Sequence, residues 1–221
     1  MAGMTIAAQV EEMKRSGPDE PDPRMAAFAR EQAALAHVAV PAGVAGVGTR
    51  LPDVELLGVD GSPRSLAEAA GEGHAVLVLY RGAWCPYCNL SMRTYQSELL
   101  PAMRERGTEL IALSPQKPDG SLTMKEKHEL EFVVLSDPGL AVARAIGVVT
   151  RPAEESLAAQ VELGLDLGEV NADGTPALPM PTVAIVDGEL TIRWIDVHPD
   201  YTARSEPEEI LAALDRLEGR S

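Results

Sequence analysis

The run AVLVLY at residues 75–80 is apolar at every position and has the length of a strand. A strand with no polar face must be covered on both sides, so it belongs at the centre of a sheet with layers above and below it. ELIALSP (109–115) and FVVLS (132–136) are further strands of this kind. Helical patterns separate them, at roughly 86–100 and at 121–130, and Pro101 demands a kink or an end in the first. LAVARAIG (140–147) reads as a short helix closed by Gly147. Upstream, VELLGVDGSPRSL (54–66) reads as a hairpin turning at Asp60-Gly61. Ser65 and Glu68 then have capping-box spacing for a short helix. Downstream, TVAIVD and LTIRWID (182–187 and 190–196) pair around Gly188. Ser205 and Glu208 box the start of a final helix, 206–218. This order gives an α/β fold, a central mixed sheet flanked by helices.

Two helical patterns, 4–15 and 24–38, precede a Gly/Pro/Val-rich linker at 41–52. Residues 1–45 are therefore expected to form an N-terminal helical extension, and 46–221 the main domain. Within it, 152–176 carries acids but no Lys or Arg. It reads as a surface insertion with one helix near 153–163. A formal charge of −15 argues against binding nucleic acid through its phosphates. The first residues lack a basic start followed by an unbroken apolar run, so no signal peptide is expected. The apolar stretch 33–48 is too interrupted to span a bilayer. The expected location is the cytoplasm, where thiols stay reduced.

Both cysteines of the chain lie in LYRGAWCPYCN, residues 79–89. Three uses compete. As a staple, Cys85–Cys88 would close so short a loop that it restricts the unfolded chain by only roughly 1.9 kcal/mol. As half of a zinc site, the pair would need ligands from a second subunit, because His37, His74, His128 and His198 are isolated from one another. Redox chemistry fits better. The pair follows a buried strand and opens a helix, with Pro86 at the first turn. Cys85 would sit at the N-cap, where free backbone N–H groups and the helix dipole favour thiolate. Cys88, Met92, Tyr95, Leu99 and Met103 form one apolar stripe, which turns Cys88 inward and Cys85 outward. An exposed thiolate attacks, and a shielded neighbour one turn away closes the disulfide. No GxGxxG follows a strand, so neither a nicotinamide nor a flavin is called for, and no metal.

WCPYC after an apolar strand resembles the active site of thioredoxin-fold oxidoreductases. Met180-Pro181-Thr182, before a strand, is similar to the cis-proline element that faces the cysteine pair in that fold. VLYRGAWCPYCN, IALSPQKPD, LSDPGLAVARAIG and LPMPTVAIVDGELTIRWIDVHPDYTARSEPEEILAAL together resemble the peroxiredoxin-like branch of the alkyl hydroperoxide reductase and thiol-specific antioxidant family. The matching blocks run from about residue 48 to 215; the first 45 residues are covered only weakly. The resemblance implies a thioredoxin-like fold and a thiol peroxidase. One cysteine would attack hydrogen peroxide or an organic hydroperoxide, and the other would close an intramolecular disulfide. A thioredoxin-like protein or a small thiol would then reduce it. The alternatives are a disulfide reductase without peroxidase activity and a non-enzymatic redox sensor; monomer or homodimer is left open.

The chain also departs from that family's pattern, which has a proline, a threonine three residues before the peroxidatic cysteine, and a remote arginine. Arg81 stands in the proline's place, Cys85 in the threonine's and Cys88 in the peroxidatic position. The thioredoxin comparison instead makes Cys85 the nucleophile, so the first sulfur to meet a peroxide stays open. Leu79 replaces the buried aspartate of thioredoxins, which leaves the proton of Cys88 to water or another group. Arg81 either lends charge to the thiolate or makes a surface ion pair. Trp84 shields the flank where a partner docks, or simply packs. Tyr87 fills the variable dipeptide with its hydroxyl toward solvent. Asp137 and Thr150 read as turn or cap residues.

Overall fold

A computed structural model describes residues 3–17, 22–118 and 128–220. Its centre is a seven-stranded sheet built from β1 (Glu55–Leu57), β2 (Pro63–Ser65), β3 (Ala75–Leu79), β4 (Glu109–Ser114), β5 (Val133–Ser136), β8 (Thr182–Val186) and β9 (Ile192–Val197). Across the sheet the order is β2-β1-β5-β4-β3-β8-β9. β3 pairs in parallel with β4, and β4 with β5, while β8 lies antiparallel beside β3 and β9 antiparallel beside β8. The mixed sheet expected from the element order is present. β6 (Val149–Thr150) and β7 (Leu178–Pro179) form a separate small ladder.

β3 is buried at all five positions, as its unbroken apolar run requires. Val76 and Val78 belong to the core beneath α4 (Pro86–Thr94), α5 (Leu100–Arg106) and α9 (Pro207–Glu218). Leu77 and Leu79 face the other side, toward α3 (Leu66–Ala70) and α6 (Ala141–Ile146). The two-residue side-chain period sorts one strand into two cores. α3 starts with the expected capping box of Ser65 and Glu68, and α6 ends at Gly147 in the left-handed conformation.

Two element starts and ends differ from expectation. The helix after the cysteines continues past Thr94 as a π-helical turn, Tyr95–Leu99, and then as α5. Pro101 has no N–H to give and its ring crowds the preceding carbonyls, so the turn ahead of it widens rather than breaking. The C-terminal box is also shifted by one residue. Glu206 is the N-cap of α9 and pairs with Glu209, because the Ser205 hydroxyl is already committed to Asp196 Oδ2 at 2.7 Å. The helical pattern at 121–130 falls almost wholly outside the described residues; His128 and Glu129 form a turn.

The N-terminal segment forms α1 (Ile6–Arg15) and α2 (Met25–Leu35). Ile6 and Val10 of α1 are buried in the same core as α4. α2 packs on α7 (Glu154–Glu162), the helix expected in the acidic segment. That segment holds a second short helix, α8 (Leu167–Val170), with Leu167 and Asn171 buried. It is more than a surface insertion: it is one wall of the candidate site.

Candidate active site

β3 delivers the chain to a tight loop, Tyr80 to Trp84, before α4 begins. Gly82 sits there at φ +152, and a Cβ at that position would lie 2.4 Å from Trp84 Nε1 and 3.0 Å from Gln116 Oε1. Gln116 fixes the loop by accepting from the Ala83 N–H at 2.8 Å. Cys85 is the N-cap of α4 and Pro86 its first residue, as expected. Cys88 lies in the first turn, where backbone N–H groups are still unpaired and the helix dipole favours an anion.

The two cysteines do not divide as exposed and shielded. Both are free thiols, and both are buried, Cys85 with 1% of its surface exposed and Cys88 with none. Cys88 is packed into the core beneath α4, and α2 and the α7 region roof the side on which Cys85 lies. Nor does the Cys85 sulfur accept a capping hydrogen bond. Burial, the hydrogen bond to Cys88 and the charge of Cys88 push the Cys85 thiol well up, against Arg81 and Arg204. Cys88 behaves oppositely. Burial opposes its ionisation, but the Cys85 thiol, the Arg204 charge and the Arg81 main chain and charge together hold it well below the ordinary thiol range. The thiolate expected at Cys85 is therefore favoured at Cys88, with Cys85 protonated and donating to it.

Arg204 is the residue that sequence reasoning did not place. Its Nη2 donates to Cys88 Sγ at 3.1 Å, and its Nη1 donates to the Tyr201 and Ala203 carbonyls. It lies between β9 and α9, far from the cysteines in sequence. The loop that carries it is anchored twice: Tyr95 in the π-helical turn donates to the Ser205 carbonyl at 2.7 Å, and Asp196 accepts from Ser205 and pairs with His198 at 2.8 Å. The position just before the last helix was the available signal, since the resembling block extends through it.

Arg81 is 5% exposed and makes no ion pair among the described residues. Its guanidinium instead lies between two rings, 5.2 Å from the Trp84 centroid and 4.0 Å from that of Tyr201. Tyr201 was not singled out from sequence; it also meets the Tyr87 ring at 6.1 Å. The Tyr87 hydroxyl does not simply face solvent but accepts from Gln32 Nε2 of α2 at 3.3 Å.

Above Cys85 is a cavity of about 230 Å³. Arg81, Trp84, Pro86, Tyr87 and Tyr201 form its floor and sides, and α2 and the α7 region its roof. Met180 and Pro181 line a much smaller adjoining pocket that shares Arg81 and Tyr201 and includes Thr150. Thr182 is buried at the start of β8 and turns its hydroxyl to the Met180 carbonyl at 2.9 Å. The expected cis-proline is absent: the described residues contain no cis peptide bond. The Met180 N–H bonds to the Val148 carbonyl and the Pro181 carbonyl accepts from His198. These bonds hold the segment extended in the lower-energy trans isomer. Asp137 is a helix cap, with its carboxylate accepting from the Ala141 and Val142 N–H groups at 2.7 and 3.0 Å. Among the described residues no three His, Cys, Asp or Glu side chains group to hold a metal ion. No helix there is long and apolar enough to cross a membrane.

A central mixed sheet with a cysteine pair at the end of its buried middle strand defines a thioredoxin-like fold. Solved structures similar to it include peroxiredoxins. Peroxidoxin BcpB from Mycobacterium tuberculosis superposes with a TM-score of 0.58 at 20% identity, over 77% of this chain and 97% of that one. Reduced Prx3 from Vibrio vulnificus in complex with hydrogen peroxide gives 0.62 at 19% identity, over 77% and 99%. The AhpC/TSA family model matches residues 47–195, and the chain belongs to that family. In sequence it is similar to the thiol-disulfide oxidoreductase ResA of Bacillus thuringiensis subsp. konkukian, 29% identical over 107 residues. That match covers 48% of this chain and 60% of the relative. ResA of Geobacillus kaustophilus is 30% identical over the same span.

Proposed function

We propose that the protein is a thiol-dependent peroxidase in which Cys88 is the attacking sulfur and Cys85 the resolving one. The observation that carries this is the pair of donors on Cys88: the Arg204 guanidinium at 3.1 Å and the protonated Cys85 thiol. The Cys88 thiolate attacks the terminal oxygen of a peroxide, the O–O bond breaks, and an alkoxide or hydroxide leaves and takes up a proton. Cys88 becomes a sulfenic acid. The Cys85 thiol condenses with it, water leaves, and a Cys85–Cys88 disulfide closes. A thiol donor, either thioredoxin-like or small, then restores the pair. Arg81 and Arg204 stay in place as fixed positive charge for the anions on both sides of the reaction. Trp84, Pro86 and Tyr87 shape the approach to the pair, and Met180, Pro181 and Thr182 the neighbouring wall.

A second reading is a thiol-disulfide oxidoreductase without useful peroxidase activity. The cavity over Cys85 favours it, because attack on a disulfide needs room beside the sulfur. The deciding experiment is rapid mixing of reduced Cys85→Ser and Cys88→Ser proteins with hydrogen peroxide and cumene hydroperoxide, followed by dimedone labelling and mass spectrometry. The peroxidase reading expects label on Cys88 in the Cys85→Ser protein and none in the other. Label on Cys85 alone would reverse the roles. No label in either, with model disulfides still reduced, would favour the second reading.

A further inference from the structure

The cavity over Cys85 is roofed by two segments outside the sheet. Arg30 of α2 pairs with Glu155 of α7 at 2.7 Å, the Ala153 N–H donates to Glu31 at 2.6 Å, and Arg24 donates to the Glu162 carbonyl at 3.0 Å. Met25 and Phe28 hang from α2, and Leu163 and Leu165 from the segment after α7, so the roof over the sulfur is mainly apolar. An apolar cavity of roughly 150 Å³ is enough to take up benzene. At about 230 Å³ this one has room for a compact aromatic or branched body. Gln160 also lines it. That side chain is 5% exposed, and its Oε1 has no hydrogen-bond partner among the described residues.

The cavity reaches Cys85, while Cys88 is not among its lining residues. In thiol–disulfide exchange the attacked sulfur must be accessible, and the other must leave as a stable thiolate. Here the sulfur that meets the cavity is that of Cys85, and Cys88 leaves toward Arg204. A protein thiol would have to extend between α2 and the α7 region to reach Cys85, which is only 1% exposed.

We infer that the cavity is the binding site for the electron donor, and that this donor is a low-molecular-weight thiol with an uncharged, apolar body. The inference rests on the cysteine pair cycling through a Cys85–Cys88 disulfide. One donor thiolate attacks Cys85 Sγ, the Cys85–Cys88 bond breaks, and Cys88 departs as thiolate. A second donor thiolate attacks the donor sulfur of the mixed disulfide. The donor leaves as its own disulfide, and Cys85 takes a proton to regain its thiol.

The test uses full-length protein oxidised beforehand with diamide, so it does not depend on peroxide turnover. Reduction is followed by quenched alkylation and mass spectrometry with benzyl mercaptan, 2-mercaptoethanol, glutathione and a reduced thioredoxin as donors. We expect benzyl mercaptan to exceed 2-mercaptoethanol and glutathione by at least about tenfold at equal thiolate concentration, with thioredoxin slower still. Leu163→Glu, at an exposed rim position, should lower the preference for benzyl mercaptan several-fold. In Cys88→Ser protein treated with diamide, the donor thiolate should displace the hydrazine from the diamide adduct of Cys85 and leave the mixed disulfide with benzyl mercaptan there, faster than the one with glutathione. Equal rates for the three small thiols, or a thioredoxin faster than all of them, would overturn the inference. A pair that diamide cannot join would instead remove the disulfide cycle on which it rests.

Discussion

The guanidinium of Arg204 and the sulfur of Cys88 form a buried pair 3.1 Å apart, and no carboxylate pairs with that guanidinium among the described residues. A buried cation needs an anion or a full set of acceptors. Two carbonyls accept from Nη1, and the sulfur, as thiolate, supplies the anion at Nη2. Cys88 and Arg204 thus hold each other charged across 116 residues of sequence.

Arg204→Met keeps the length of the side chain and removes its charge. We expect Cys88 to ionise at higher pH and its alkylation by iodoacetamide at pH 6–7 to slow at least about tenfold, since one pKa unit is a factor of ten. Arg204→Lys should fall between, because it keeps the charge and loses the planar fork. Alkylation rates of Cys88 followed against pH check both. An unshifted profile in Arg204→Met would take Arg204 out of the site's electrostatics.

Arg81→Ala should act in the same direction and more weakly. The Arg81 main chain, which also favours the Cys88 thiolate, survives the substitution, and only the side-chain charge is lost. The ring stack on Trp84 and Tyr201 goes with it, so Trp fluorescence should change as well. A shift in the Cys88 titration larger than that of Arg204→Met would invert the ranking proposed for the two arginines.

Much of this was legible in the sequence, for physical reasons that can be named. The apolar period of β3 and the Pro86 start of α4 are local signals, and they placed the cysteine pair at the end of a buried strand. The orientation of Cys85 was not legible. The stripe from Cys88 to Met103 says which way a helix faces its own sheet and nothing about a roof supplied by residues 25–35 and 154–165. Arg204 was missed for a similar reason: its role depends on a loop pinned by Tyr95 and Asp196. The shift of the last capping box from Ser205 to Glu206 has the same origin. A hydroxyl that looked free in sequence is used by a strand nine residues away.

Gly82→Ala should be costly although Gly82 carries no chemistry. Its φ of +152 is unfavourable for any residue with a Cβ, and the added carbon would press on Trp84 and Gln116. Strain of this kind is worth about 1–3 kcal/mol. Urea unfolding should show a loss of that size, together with faster alkylation of Cys85 as Trp84 is displaced. A loss under about 0.5 kcal/mol would mean that the loop relaxes freely.

Asp137 gives a pH signature separate from the cysteines. Burial pushes its carboxyl up to about 6, against the N–H groups of Ala141, Ala143 and Val142 and the charge of Arg144. A carboxyl whose folded pKa is raised binds its proton more tightly in the native state than in the unfolded one. Its favourable contribution is therefore present below about pH 4, and is lost as pH rises toward about 6. Some two pKa units correspond to about 3 kcal/mol. Asp137→Asn cannot titrate. We expect the stability of the natural protein, measured relative to Asp137→Asn by urea unfolding, to fall by about that amount between pH 4 and pH 7. A constant gap would show the carboxylate to be as well satisfied by the N–H groups of α6 as it is by water, and a gap moving the other way would mean that those N–H groups outweigh burial.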